Sequence, residues 1–203
     1  MNEKTVANNA GPLLTFELDG QSGNISVYAD PTNTLSVFVN GQQIATQQQL
    51  NGVYTVVDPN LVANASVTVN VPANTDLTLR ENNGTINVTG VTGDLDLEVV
   101  NGNIVASQVT LTGSSLFTAK DGTIVFAGSV DQFSFAHLHT DQGYISVQLP
   151  ASSSFHVDAT TNAGYINTNF ASSGTAIHAD HGGNPKALIT LDESAGTMDI
   201  ALV

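Results

Sequence analysis

One short motif returns along this chain at nearly constant spacing: a residue that is usually polar, then glycine, any residue, and isoleucine. It reads Ser22-Gly23-Asn24-Ile25, Asn83-Gly84-Thr85-Ile86, Asn101-Gly102-Asn103-Ile104 and Asp121-Gly122-Thr123-Ile124. Two further copies are Gln142-Gly143-Tyr144-Ile145 and Ala163-Gly164-Tyr165-Ile166, with a weaker one at Ala195-Gly196-Thr197-Met198. From Gly84 the glycines lie 18, 20, 21 and 21 residues apart. A period of this length means that one supersecondary unit is repeated, and each copy needs its neighbours to bury its apolar side. A longer echo agrees. Val69-Asn70-Val71-Pro72-Ala73 precedes Leu77, Leu79 and Gly84, and Val147-Gln148-Leu149-Pro150-Ala151 precedes Phe155, Val157 and Gly164. Each proline falls at a strand end, where no ladder donor is lost.

Side chains two apart share one face of a strand. With the motif isoleucines inward, the inner set after each glycine is Ile86 and Val88, Ile104 and Ala106, Ile124 and Phe126, Ile145 and Val147. Before the glycines it is Leu95, Leu97 and Val99, then Phe117 and Ala119, then Leu138, then Phe155, Val157 and Ala159. The outward positions are mainly Thr, Asn, Ser, Asp, Glu and Gln, so one face is a core and the other is wet.

Two all-β architectures fit. In an antiparallel β-sandwich, each Asn-Gly or Asp-Gly is a tight hairpin turn. In a β-solenoid, a single-stranded β-helix of roughly 20-residue rungs, each glycine marks a corner and each rung stacks on the next. The regular period favours the solenoid, which places Ile on Ile and lines Asn83, Asn101, Asp121 and Gln142 along one corner. The regular rungs span about 66–170. Residues 13–70 are less even: Leu35–Val39 and Val53–Val57 alternate as strands, and Gln42–Gln49 reads as a polar loop. Residues 171–186 read as a loop before a last strand pair, Ala187–Leu191 and Thr197–Val203. No helix is expected, and 13–203 reads as one domain after a disordered or tag-like stretch at 1–12.

Composition narrows the functions. Four Lys+Arg stand against eighteen Asp+Glu, for a formal charge of −14. Lys4, Arg80, Lys120 and Lys186 cannot form the basic stripe that a phosphate backbone requires, so nucleic acid is excluded as a partner. Anionic lipid and polyuronate are disfavoured for the same reason. Without cysteine there is no disulfide or thiolate chemistry, and no cofactor is expected. Met1–Pro12 lack the apolar run of a secretory signal, and no stretch approaches the ~20 apolar residues of a membrane-spanning helix. Whether an anchor was trimmed away is left open.

The strand, Asn-Gly or Asp-Gly, Ile-x-Val alternation resembles the bacterial putative-adhesin family of β-strand-repeat domains of unknown function. So do the Val-x-Val-Pro-Ala entry at Val69–Ala73 and the close from Leu188 to Ile200, Leu-Ile-Thr-Leu followed by Ser-Ala-Gly-Thr-Met-Asp-Ile. The resemblance runs from about Phe16 onward and rests on structural glycines and apolar alternation. It implies a repetitive β fold of the bacterial envelope with no established enzymatic activity, displayed at the cell surface or outside the cell. A cytoplasmic location stays open, since the chain carries no attachment segment of its own.

Two constellations stand out on the outward face. His137 and His139 flank Leu138, and counting from the next glycine puts Asp158 level with His137, with His156 two residues before it. Imidazoles beside a carboxylate are divalent-metal ligands; the plain alternative is solvated surface histidines. Tyr144 and Tyr165 fall at equivalent outward positions in what reads as consecutive rungs, near Gln148, Asn167 and Asn169. Exposed aromatics beside amides suit a sugar face, and cross-strand packing is the plain alternative. An enzyme needs paired carboxylates on one face, or a carboxylate with Lys or Arg to neutralise an acidic sugar. The column Asp96, Leu116, His137, Asp158 has no adjacent carboxylates, and basic residues are almost absent. Asp94, Asp121 and Asp141 lack the Gly-Gly-x-Gly-x-Asp calcium pattern. The reading is a non-catalytic structural or binding module with a protein or glycan partner. The alternatives are a carbohydrate-active β-helix enzyme and a self-assembling scaffold, the latter if Leu13–Val27 and Ala187–Val203 are apolar, uncapped end rungs.

Overall fold

The computed structural model describes residues 14–20, 22–44, 47–48, 53–55, 64–183 and 186–203. Among them there is no helix, and fifteen strands join one sheet system. The strands are β1 (Leu14–Gly20), β2 (Gly23–Asp30), β3 (Ser36–Val39), β4 (Gln42–Ile44), β5 (Gln47–Gln48), β6 (Val53–Thr55), β7 (Ala65–Pro72) and β8 (Thr75–Thr89). They continue with β9 (Thr92–Gly93), β10 (Leu95–Leu111), β11 (Ser114–Val130), β12 (Phe135–Leu149), β13 (Phe155–Thr168), β14 (Ala176–His181) and β15 (Ala187–Leu202). The tag-like stretch expected at 1–12 lies outside the described residues.

The long strands pair in parallel, and the motif sets their register. Gly23, Gly84, Gly102, Gly122 and Gly143 stack in turn, as do Ile25, Ile86, Ile104, Ile124 and Ile145. Tight hairpins between successive long strands would give antiparallel ladders; the ladders are parallel, and the Asn-Gly and Asp-Gly pairs lie within continuous strands, so they are not hairpin turns. The stacking explains why these positions are glycine. A Cβ on Gly102 would lie 1.8 Å from the Gly84 carbonyl oxygen, and Gly102 has φ +146°, which side-chain-bearing residues rarely adopt. The corner column forms as expected beside it, with the Asn101 side-chain amide donating to Asn83 Oδ1 at 3.1 Å. The unequal spacings are absorbed locally. Between β10 and β11 the register shifts at Ser107/Val109, where Gln108 has φ 56°.

Every inward residue named from alternation is buried, from Leu95 and Leu97 through Ile104, Phe117, Ile124, Phe126, Ile145 and Val157. Phe117 and Phe126 meet edge to face, their ring centres 6.0 Å apart. Each such ring contributes several kcal/mol, since cutting a core phenylalanine back to alanine costs about 3–5 kcal/mol.

Rung order departs from chain order at both ends. The first rung is not terminal: β2 lies between β7 and β8, while β1 pairs with β8 and β6. Nor is the last. Ala187–Leu202 is one continuous strand, not a pair, and it enters between β12 and β13 with Gly196 against both Gly143 and Gly164. The end rungs assumed for self-assembly are therefore interior. The outer positions carry antiparallel strands: β3 with β4 on β7, and β14 on β13. A stack of parallel rungs must stop somewhere, and a short antiparallel strand ends the register that a further rung would need. β14 also falls where a loop was expected. Its alternation is weak because only Ile177 of its six residues is buried. Part of the glutamine stretch likewise forms strands, β4 and β5, and its other residues lie outside those described. Of Val53–Val57, Val53–Thr55 form β6.

Candidate functional site: an outward face built by the inserted last strand

Placing β15 between β12 and β13 rearranges the outward columns. His137 is level with Thr190, and Thr190 with Asp158, so Asp158 is two strands from His137. Tyr144 is level with Thr197, and Thr197 with Tyr165, so the tyrosines are not on adjacent strands. Both corrections share one cause. Counting from glycine finds the level of a residue on its rung but not which rung lies beside it.

The expected metal ligands His137, His139, His156 and Asp158 separate into two groups. In the first, His137 Nε2 and His139 Nδ1 lie 2.7 and 3.0 Å from Asp192 Oδ2 on β15, and His139 Nε2 lies 3.2 Å from Asp141. Burial pushes the Asp192 carboxyl up, but its contacts with His137 and His139 outweigh this and hold it below the usual carboxylate range. The second group ties the cap to its rung. His156 faces Asp180 at 2.8 Å and Asp158 at 3.2 Å, His178 lies 2.6 Å from Asp158, and Lys186 reaches Asp180 at 2.9 Å. Asp180, then Asp158, raise the His156 imidazole above its ordinary value. The His178 contact keeps Asp158 low, and Lys186, then His156, keep Asp180 low. With both ring nitrogens against carboxylates, His156 is fully satisfied only as the doubly protonated imidazolium. Among the described residues, no three His, Asp or Glu side chains form a group that could hold a metal ion.

The expected sugar-facing residues are drawn together by Asp199, which sequence reasoning missed. The Tyr144 hydroxyl donates to Asp199 Oδ2 at 2.5 Å and the Asn167 amide donates to Oδ1 at 2.8 Å. The Asp199 bond, with burial, raises the Tyr144 phenol above its ordinary value. Alongside lies an open groove of about 250 Å³ lined by Asn167, Thr168, Asn169, Asp199, Ile200 and Ala201. The Asn169 amide clasps both backbone groups of Leu202 at 3.0 and 2.9 Å. Gln148 is level with Ala201 and exposed, while Tyr165, two residues before Asn167 on the same face, is 48% exposed. The weak seventh motif copy holds the signal for Asp199. Aligning Gly196 with the other glycines puts it level with Ser146 and Asn167.

No family model matches the chain, and no curated protein matches it. Two solved structures are similar to it along almost their whole length. One, described as a putative adhesin from Bacteroides fragilis, is 9% identical and covers 98% of this chain and 97% of its own, with a TM-score of 0.44. The other, described as a putative cell adhesion protein from Clostridium sporogenes, is 11% identical over 98% of this chain and 97% of its own, with a TM-score of 0.54. At that identity the likeness is one of architecture, and the chain shares its fold with the clostridial structure.

Proposed function

We propose that this protein is a non-catalytic, adhesin-like binding module displayed at the bacterial cell surface, and that its outward groove at Asp199 takes a neutral glycan. The observation that carries the reading is the Tyr144–Asp199–Asn167 cluster set beside the exposed ring of Tyr165. An aromatic face offers apolar contact to a sugar's C–H groups, and prearranged carboxylate and amide oxygens accept its hydroxyls. The fold shared with the clostridial protein, described as a putative cell adhesion protein, supports the same class of role. Among the groove-lining residues Asp199 is the one carboxylate, and both its oxygens are engaged. Hydrolysis of a glycosidic bond needs two carboxyl groups flanking it, so this groove favours binding over catalysis. Among the described residues, no helix is long and apolar enough to cross a membrane.

The test is a neutral-glycan array probed with the wild-type chain and with Tyr165→Ala and Asp199→Asn. Saccharide binding that both substitutions weaken by about tenfold or more supports the reading, each contact contributing on the order of 1–2 kcal/mol. A blank array, or binding indifferent to both substitutions, overturns it.

A further inference from the structure

A second surface lies at the opposite end of the same strands. The outward face of this protein is mostly Thr, Asn, Ser and charged residues, yet four large apolar side chains gather at one place on it. Phe133 is 81% exposed, Leu116 40%, Leu188 38% and Phe135 36%. Register makes them neighbours. Phe135 stands level with Leu188 on one side and with Ser114 on the other, and Leu116 follows Ser114 by two, diagonal to Phe135. Phe133 lies in the turn just before β12, two residues ahead of Phe135. There Ser134 is buried, its hydroxyl donating to the Asp131 carbonyl at 2.7 Å, with the Leu111 carbonyl also within reach at 3.1 Å. Phe133 itself has φ 69°, a conformation uncommon for a bulky residue. The turn thus holds an aromatic ring out in water at some cost in backbone energy. The stacking of rungs does not require this, since the inward set is complete without it.

The rim is acidic. Asp96 on β10, level with Leu116, borders the patch and is paired with Arg80 at 3.0 Å. Asp94 lies just ahead of β10, Asp131 lies in the turn, and Asp192 stands beyond His137, whose ring packs against Phe135 at 6.4 Å. Lys186, two residues before Leu188, is held by Asp180 at 2.9 Å. An apolar centre within a charged rim is the anatomy of a protein interface. The charge selects the occupant. A second copy carries the same −14 and is repelled, and an anionic membrane is repelled likewise. We propose that this patch docks a cationic amphipathic segment of a partner protein, with apolar side chains over Phe133, Phe135 and Leu188 and Lys or Arg against the aspartates.

The test uses the whole chain and two synthetic helical peptides with the same leucine face, one bearing lysines on its polar face and the other glutamates. The site predicts that the lysine peptide binds and the glutamate peptide does not. A Phe133→Ser/Leu188→Ser variant, altered only at exposed positions, is expected to lose about tenfold or more in affinity with its melting temperature held. Affinity is also expected to fall as salt rises from about 0.05 to 0.5 M. Undiminished binding by the variant overturns the proposal, as do equal binding of both peptides and no binding of the lysine peptide. A dimer of the wild-type chain in sedimentation that the double substitution dissolves overturns it in favour of a second copy.

Discussion

Glu193 sits inside the stack with 2% of its surface exposed, and neither carboxyl oxygen has a hydrogen-bond partner. Its neighbours in the inward column are Thr140 on β12 and Thr161 on β13, whose buried hydroxyls are also without partners. Burial pushes the Glu193 carboxyl above its ordinary value, and the nearby Thr197 backbone N–H offsets this only in part. The folded state therefore holds the proton more tightly than the unfolded chain. Stability is highest below the unfolded carboxyl value and falls as pH rises through the folded one. Glu193→Gln keeps the shape and removes the charge. An unsatisfied buried polar group costs about 1–3 kcal/mol, and more when charged. In a chain of this size, each kcal/mol shifts the melting temperature by about 2–4 °C. Thermal unfolding across pH is the assay. The Gln variant is expected to melt about 2–12 °C above wild type near pH 8 and level with it near pH 4. A variant that melts below wild type at pH 8, or that keeps the wild-type pH slope, refutes the reasoning.

Two more outcomes follow from the corners and the cap. Gly122→Ala puts a Cβ 1.6 Å from the Gly102 carbonyl oxygen, whereas one on Gly183 meets nothing within 4 Å. Chemical denaturation is expected to show a loss of about 4 kcal/mol or more at Gly122 and under about 0.5 kcal/mol at Gly183. Proton NMR of the histidine rings is expected to place the His156 midpoint above the ordinary 6.5, lowered again in Asp180→Asn. Because that value is raised on folding, the contacts of His156 with Asp180 and Asp158 stabilise the cap below pH 6.5 and weaken as pH climbs through the folded midpoint. A midpoint at or below 6.5 would refute the double contact.

The chain's own residues were enough to show which side chains face inward and why glycine recurs. Both are local properties. Alternation at Leu95, Leu97 and Val99 is read within five residues, and the phase of Gly84, Gly102, Gly122 and Gly143 is read by counting. The same counting put Asn101 beside Asn83 and Leu116 between Asp96 and His137, as the ladders have them. The order of rungs at the two ends is of another kind. Any rung with glycine and isoleucine in phase presents the same edge to any other, so β12 is as well matched to β13 as to β15. What separates these pairings is the whole set of edges left over, together with β3, β4 and β14 closing the ends, and that sum exists only once the chain is folded. Asp199 meets Tyr144 and Asn167, and Asp192 meets His137 and His139, because the last strand entered the stack one place from its end.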